Sequence, residues 1–248
     1  MSIYKYKLNT NCIKFKDFLL DIKKHFATDG KTIHKARNEV KTMSFGGINL
    51  VVKSFKKPNL INQILYLLYK SPKASKSYQN ALQIGDITPL PVGYILFYDN
   101  FFIKNSYYLS YEFSYDFVIR EALINRDFPN KDEVLRQFTK FSFELHQRGI
   151  LHLDYSAGNI LVRQNGDSYE FKIVDINRMK FKTLNLDERL KSFAMLWASD
   201  EDMSKIASFY AKFCGEDEAI CLKKALKYSR NLKFRKNFKK KLKRLLCL

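Results

Sequence analysis

The sequence predicts an α+β chain of two lobes, a β-rich N-lobe over residues 1–112 and a mainly helical C-lobe over 113–248. Three observations predict it. Alternating and β-branched runs concentrate in the first half, helical apolar spacing dominates the second, and breakers and turn signals fall between the runs. With 46% hydrophobic and 15% aromatic residues, the 248-residue chain has ample material for a core, which excludes wholesale disorder. That length allows one large domain or two small lobes.

In chain order, 31–55 holds two β-rich runs around the turn Phe45-Gly46-Gly47-Ile48, and the second run ends in Val51-Val52-Lys53-Ser54-Phe55. Segments 58–69 and 74–84 have helical spacing, and Thr88-Pro89-Leu90-Pro91 is an extended breaker. Two strands follow at 92–98 and 107–113, separated by Asp99-Asn100 and Lys104-Asn105. Asn130 with Glu133 reads as a capping box for a helix carrying Val134, Leu135, Phe138, Phe141 and Leu145, which Gly149 ends. A loop over 150–159, a short strand at 160–162, a turn at Asn165-Gly166-Asp167 and a strand over 169–175 come next. Helix is predicted over 186–213, and a basic amphipathic helix from 221 to the end, broken near 229–231. The lobes would join near 112–115, with a cleft between them. No repeat of 20–50 residues is present.

The formal charge is +19, from 44 Lys and Arg against 25 Asp and Glu, so an anionic partner is expected: nucleic acid, an anionic membrane face or a phosphate-rich substrate. The excess is concentrated at the end, where twelve cations and no acid follow Cys221. The cysteines, Cys12, Cys214, Cys221 and Cys247, form neither a CxxC pair nor a zinc-spaced cluster and read as reduced thiols. The N-terminus has lysines throughout and no secretory h-region, and no apolar run approaches the roughly 20 residues of a membrane helix. The expectation is a protein that stays inside the cell.

The chemistry concentrates in His152-Leu153-Asp154-Tyr155-Ser156-Ala157-Gly158-Asn159, an H-x-D with an Asn five residues beyond the Asp. Asp175 follows Asn159 by sixteen residues at the end of an apolar strand. Phosphoryl transfer needs a carboxylate for the hydroxyl proton and hard oxygen ligands for Mg²⁺, and this spacing matches the protein-kinase catalytic loop and its metal-binding Asp. In this reading Asp154 is the base, Asn159 and Asp175 bind the metal, and His152 holds the loop. Lys53, on a β-rich run about 100 residues upstream, is expected to hold the nucleotide phosphates. Backbone groups of Glu112 and Phe113, at the inter-lobe hinge, are expected to meet adenine. The fold class is therefore a bilobal protein-kinase-like one.

The set Val51-Val52-Lys53, Thr88-Pro89-Leu90-Pro91, His152 through Asn159, and Val174-Asp175-Ile176-Asn177-Arg178-Met179 resembles the lipopolysaccharide kinases, the Kdo and heptose kinases of bacterial inner-core synthesis. The resemblance spans roughly residues 30–200. It implies ATP with Mg²⁺ and phosphorylation of a sugar hydroxyl on a lipid-linked glycan, at the cytoplasmic face of the inner membrane. It assigns Lys53 to the phosphates, Asp154 to the base, and Asn159 and Asp175 to the metal. The basic C-terminal segment suits an acceptor embedded in an anionic membrane, each cation near such a surface adding about 1 kcal/mol.

The pattern departs from relatives in three places. The front hairpin has Lys35-Ala36-Arg37-Asn38-Glu39 in place of G-x-G-x-x-G. Ser77 and Gln79 stand where a glutamate partner of Lys53 is expected. Ser156 replaces the lysine of Ser/Thr protein kinases, which argues against that class. Two alternatives stay open: a small-molecule phosphotransferase of the aminoglycoside or choline type, and a catalytically silent kinase-like binding protein. Nucleic acid ranks last, because no aromatic stacking motif of the RNA-recognition type accompanies the tail.

Overall fold

The computed structural model describes residues 3–245. The chain divides into two compact units, Met1–Phe113 and Ser114–Leu248, and its architecture is α+β, with an antiparallel sheet in the first and mainly helices in the second.

The first unit is a six-stranded antiparallel sheet. Its strands are β1 (Ile3–Leu8), β2 (Lys31–Lys35), β3 (Glu39–Phe45), β4 (Ile48–Ser54), β5 (Pro91–Asp99) and β6 (Phe102–Tyr111), in the spatial order β1-β5-β6-β4-β3-β2. The two expected runs over 31–55 are three strands, since the chain turns at 36–38 as well as at Gly46-Gly47. β6 begins well before 107, so Lys104 and Asn105 lie inside a strand and not in a turn, and the turn residue is Asn100, at φ 53°. A short 3₁₀ helix (Thr10–Phe15), α1 (Lys16–Leu20) and α2 (Ile22–Thr28) precede β2. Phe15, Phe18, Leu19, Ile22 and Phe26 from this stretch form the core with Leu50, Val52, Ile95, Phe97, Tyr107 and Leu109 on one face of the sheet. Strand alternation sends Val51 and Lys53 to the opposite face. On that face α4 (Lys73–Ile84) packs, its Tyr78 ring 5.5 Å from Tyr94, while α3 (Leu60–Leu68) precedes it in the chain.

The second unit is built on α6 (Lys131–Gln147), which buries Val134, Leu135, Phe138, Thr139, Ser142, Leu145 and His146. Before it come β7 (Phe117–Val118) and α5 (Ile119–Ile124). After it come β8 (Ile150–His152), β9 (Ile160–Asn165), β10 (Ser168–Ile173), β11 (Met179–Phe181), α7 (Leu186–Ser192), α8 (Asp200–Cys214) and α9 (Glu218–Leu245). The strands pair as β10-β9-β7 and β11-β8, all antiparallel, so the expected loop over 150–159 opens with a short strand.

Three local expectations are corrected. Asn130 precedes α6 in the left-handed region (φ 51°) and makes no side-chain cap; only its backbone carbonyl meets the first turn, accepting from Val134 N–H at 3.0 Å. Glu133 is instead forked by Arg136 and Gln137, which hold its carboxyl down at about 2. The capping box is at Asn185 and Glu188, opening α7. The helix expected over 186–213 breaks at Trp197 (φ 60°), and Ser199 restarts it by accepting from Asp202 N–H at 3.0 Å. The break expected near 229–231 is absent: α9 runs through it, and Ser229 is buried where the helix packs onto the rest of the unit. Cys12, Cys214 and Cys221 are free thiols, and Cys247 lies outside the described residues.

Gly149 links α6 to β8 at φ 69°, and a Cβ there would lie 2.8 Å from the Lys182 carbonyl oxygen. The Gly149 carbonyl accepts from Lys182 N–H at 2.9 Å. Gly149→Ala is therefore expected to cost about 1–3 kcal/mol, measured by urea unfolding. An unchanged midpoint would contradict this close approach.

His146 lies in the core with Nδ1 3.0 Å from the Tyr210 hydroxyl and Nε2 3.2 Å from Ser192 Oγ. Burial, then the Arg189 charge, depress its pKa to about 3. The unfolded chain therefore takes this proton first. The contribution is complete above the unfolded value of about 6.5 and is lost as pH falls toward the folded value, at about 1.4 kcal/mol per pH unit. His146→Gln should flatten stability against pH between about 6.5 and about 4.5. A slope identical to wild type would remove His146 as its source.

Candidate functional site: an Asp–Asn–Asp arrangement in the second unit

In the first unit, Lys53 is the penultimate residue of β4, opposite Tyr108 of β6 and Val40 of β3, with Nζ 5.4 Å from the Phe55 ring centre. Tyr108 is buried, which pushes its hydroxyl well above the usual tyrosine range and keeps it neutral beside the lysine. Ser77 donates its hydroxyl to the Lys73 carbonyl at 2.9 Å, and Gln79 is exposed on α4. Neither α3 nor α4 contains an acidic residue. Glu112 follows the end of β6 and donates its N–H to the Asn49 carbonyl at 3.0 Å, so that donor is committed to the β6–β4 pairing. Phe113 is the last residue of the unit.

In the second unit, the pairing of β8 with β11 sets His152 opposite Met179 and carries Leu153 N–H to the Arg178 carbonyl at 2.8 Å. His152 is buried, and its two ring nitrogens hold two different segments. Asp154 N–H donates to Nδ1 at 3.0 Å, which makes Nε2 the protonated nitrogen, and Nε2–H donates to the Val174 carbonyl at 3.1 Å. Burial lowers the His152 pKa, against the opposing pull of the Val174 carbonyl and the carboxylates of Asp175 and Asp154. The ring is therefore neutral at pH 7, as its acceptor nitrogen requires.

Asn159 closes the loop. Its Nδ2 donates to the Asp154 carbonyl at 3.0 Å, its N–H to the Ser156 carbonyl at 2.9 Å, and its own carbonyl accepts from Val174 N–H at 2.9 Å. With Nδ2 used inside the loop, amide planarity turns Oδ1 the other way. Tyr155 anchors the loop from beneath: its buried hydroxyl lies 2.8 Å from Ser142 Oγ and its ring stacks on Phe138. Beyond β10, Asp175 adopts φ 57°, and Asn177 donates its side-chain amide to Asp175 Oδ1. A non-glycine residue there is held by its surroundings, a feature enriched at functional sites.

Bonds through His152 and Asn159 thus tie the segment carrying Asp154 to the segment carrying Asp175. The side chains offered are two carboxylates and an amide oxygen, a hard-donor set. Among the described residues no three His, Cys, Asp or Glu side chains gather as a metal cage. The two carboxylates and the amide oxygen fit Mg²⁺, which takes one or two carboxylates and completes its shell with water and phosphate oxygens. It does not fit zinc, which wants nitrogen or sulfur ligands.

Two arginines carry no role in the sequence reading. Arg178 places Nη1 3.9 Å from Asp154 Oδ2. Arg120 of α5 lies against the loop backbone, where a Cβ on Gly158 would come within 2.4 Å of Nη2. The glycine beside Asn159 was the available signal for such an approach, but no local pattern says that α5 supplies the cation.

No family model matches the chain, and no curated protein matches it by sequence. Among solved structures it is similar to a chain described as WaaP in complex with acyl carrier protein. The TM-score is 0.61 at 15% identity, over 92% of this chain and 99% of that one. The likeness spans both units and shows the protein-kinase-like α+β fold that the sequence predicts. Because 955 solved chains match in all, the fold alone does not select a reaction, and that choice rests on the site residues.

Proposed function

We propose that the protein is an ATP-dependent phosphotransferase that phosphorylates a sugar hydroxyl of a lipid-linked glycan, Kdo or heptose of a lipopolysaccharide inner core. The observation that carries this is the double bridge of His152, which binds the Asp154 loop to the segment bearing Asp175. The motif resemblance to lipopolysaccharide kinases and the structural likeness to WaaP support it. The work is proposed to take place at the cytoplasmic face of the inner membrane.

In this mechanism Asp154 receives the proton of the acceptor hydroxyl as its oxygen bonds to the γ-phosphorus and ADP leaves. Arg178 lies beside that carboxylate, its Nη1 3.9 Å from Asp154 Oδ2. Asn159 Oδ1 and the Asp175 carboxylate would hold Mg²⁺, which when bound neutralises charge on the phosphates. Lys53 is assigned to the α- and β-phosphates. The carbonyl of Glu112 and the backbone of Phe113 are assigned to adenine, since the Glu112 N–H is already used. A second reading, nucleotide binding without transfer, draws on the absence of any acidic residue from α3 and α4.

The outer part of α9 is proposed to meet the anionic surface that carries the acceptor. Lys224, Arg230 and Lys233 of its inner part pair with Asp187 and Asp200. Arg235, Lys236, Lys239, Lys240, Lys241, Lys243 and Arg244 make no ion pair among the described residues.

With ATP, Mg²⁺ and a Kdo-lipid A acceptor, wild type should transfer labelled phosphate, and Asp154→Asn should lower the rate about a hundredfold or more. Asp175→Asn should raise the Mg²⁺ needed for half-maximal rate about tenfold or more. Transfer equal in wild type and Asp154→Asn would sink the reading, whereas nucleotide binding with no transfer in wild type would favour the silent alternative.

A further inference from the structure

Helix α3 is turned inside out. Leu60, Ile61, Ile64, Leu67 and Leu68 recur at helical spacing on one face, and that face points to solvent, each residue 46–70% exposed. Gln63, the polar residue between them, points inward and is 4% exposed. Its Oε1 accepts from Ile103 N–H at 3.0 Å, and its Nε2 donates to the Ile103 carbonyl at 2.8 Å. This bidentate grip fixes the rotation of the helix about its axis, because turning the apolar stripe inward would strand both a buried amide and a backbone pair.

The stripe continues into its surroundings. Tyr69 at the helix end and Phe101 at the β5–β6 turn are about four-fifths exposed. Phe101 shares the wall of a cavity of about 250 Å³ with Leu67, Tyr66 and Lys70, which joins the turn to the helix. Lysines frame the patch: Lys56 and Lys57 precede α3, and Lys70, Lys73 and Lys76 follow it. Between Glu39 and Asp86 there are seven lysines and no acidic residue.

We propose that α3, with Phe101, is an interfacial anchor that sinks its apolar stripe into an anionic phospholipid bilayer. Charge complementarity selects this occupant. Acidic headgroups answer the lysine frame and acyl chains answer the leucines and isoleucines. A second copy of this +19 chain would set one lysine frame against another. Nine residues span about 14 Å against a hydrocarbon core of about 30 Å, so the helix lies in the interface plane. No described helix is long and apolar enough to cross a membrane. The inference concerns the first unit and does not depend on the phosphotransfer reading, since vesicle binding is read without nucleotide or acceptor.

The full chain should float with phosphatidylcholine–phosphatidylglycerol vesicles. Ile61→Glu/Leu68→Glu should lower its partition about tenfold or more with unchanged circular dichroism and melting temperature, as both side chains are largely exposed. In a second arm, a Leu67→Trp reporter, read against native Trp197, should shift to the blue and be quenched by brominated phosphatidylglycerol. Equal partition of wild type and double variant would overturn the proposal and leave binding to the basic tail. A dimer that the double variant dissociates, with vesicle binding unchanged, would overturn it in favour of a second copy. A reporter that stays unquenched on vesicle-bound protein would overturn insertion.

Discussion

The arrangement of the second unit depends on one neutral imidazole. His152 accepts a backbone proton at Nδ1 and donates one at Nε2, and only the neutral ring can do both. The same burial that lowers its pKa also makes these bonds strong, because no water competes for them. A protonated ring would turn its Nδ1 proton toward the Asp154 N–H and break the contact that sets the loop. Asp154, Asn159 and Asp175 therefore owe their relative placement to a residue that needs no contact with substrate.

That bridge rests on packing beneath it. Tyr155, the residue after Asp154, is buried against Phe138 and Phe193, and its hydroxyl meets Ser142 on α6. The next layer repeats the device: His146 lies between Tyr210 and Ser192, so α6, α8 and α7 meet at a second neutral imidazole. Buried polar groups with partners on both sides specify one arrangement of these helices, where an all-apolar core would tolerate several. The loop is held in place by the layers beneath it, which these partners lock together.

Local spacing made the loop legible in the sequence. His152, Asp154 and Asn159 lie within eight residues, and a carboxylate ending the next strand pair completes the pattern. What was not legible depends on distant parts of the chain. The elements over 10–28 are too short for a periodic signal and owe their form to Phe15, Phe18 and Ile22 packing on strands far along the chain. Trp197 breaks a helix through a left-handed backbone that its residue type disfavours, and Asn130 has the right identity for a cap in the wrong conformation. Arg120 reaches Gly158 from another element altogether. In α3 the periodicity showed an apolar face, but periodicity is silent on which side of a helix faces the protein, and the Gln63–Ile103 pair decides that.

Net charge is a further case of a bulk property that structure divides. The sum of +19 treats every lysine alike, yet the acids are spent unevenly. Asp202, buried beside Lys131, and Asp187 and Asp200, which meet α9, neutralise cations inside the second unit, where they join helix to helix. Pairs of this kind at the surface add little stability, so their main consequence is to fix the inner half of α9 in register. Two further concentrations of cations are the outer turns of α9 and the lysines that flank α3. At the first the interleaved rings, Phe234 and Phe238, stack on each other. At the second the apolar side chains stand out from a helix that a buried amide prevents from turning. Charge alone brings a protein reversibly to an anionic surface, while apolar side chains held outward give it a depth, and in α3 the Gln63–Ile103 pair fixes the orientation that presents the apolar ones.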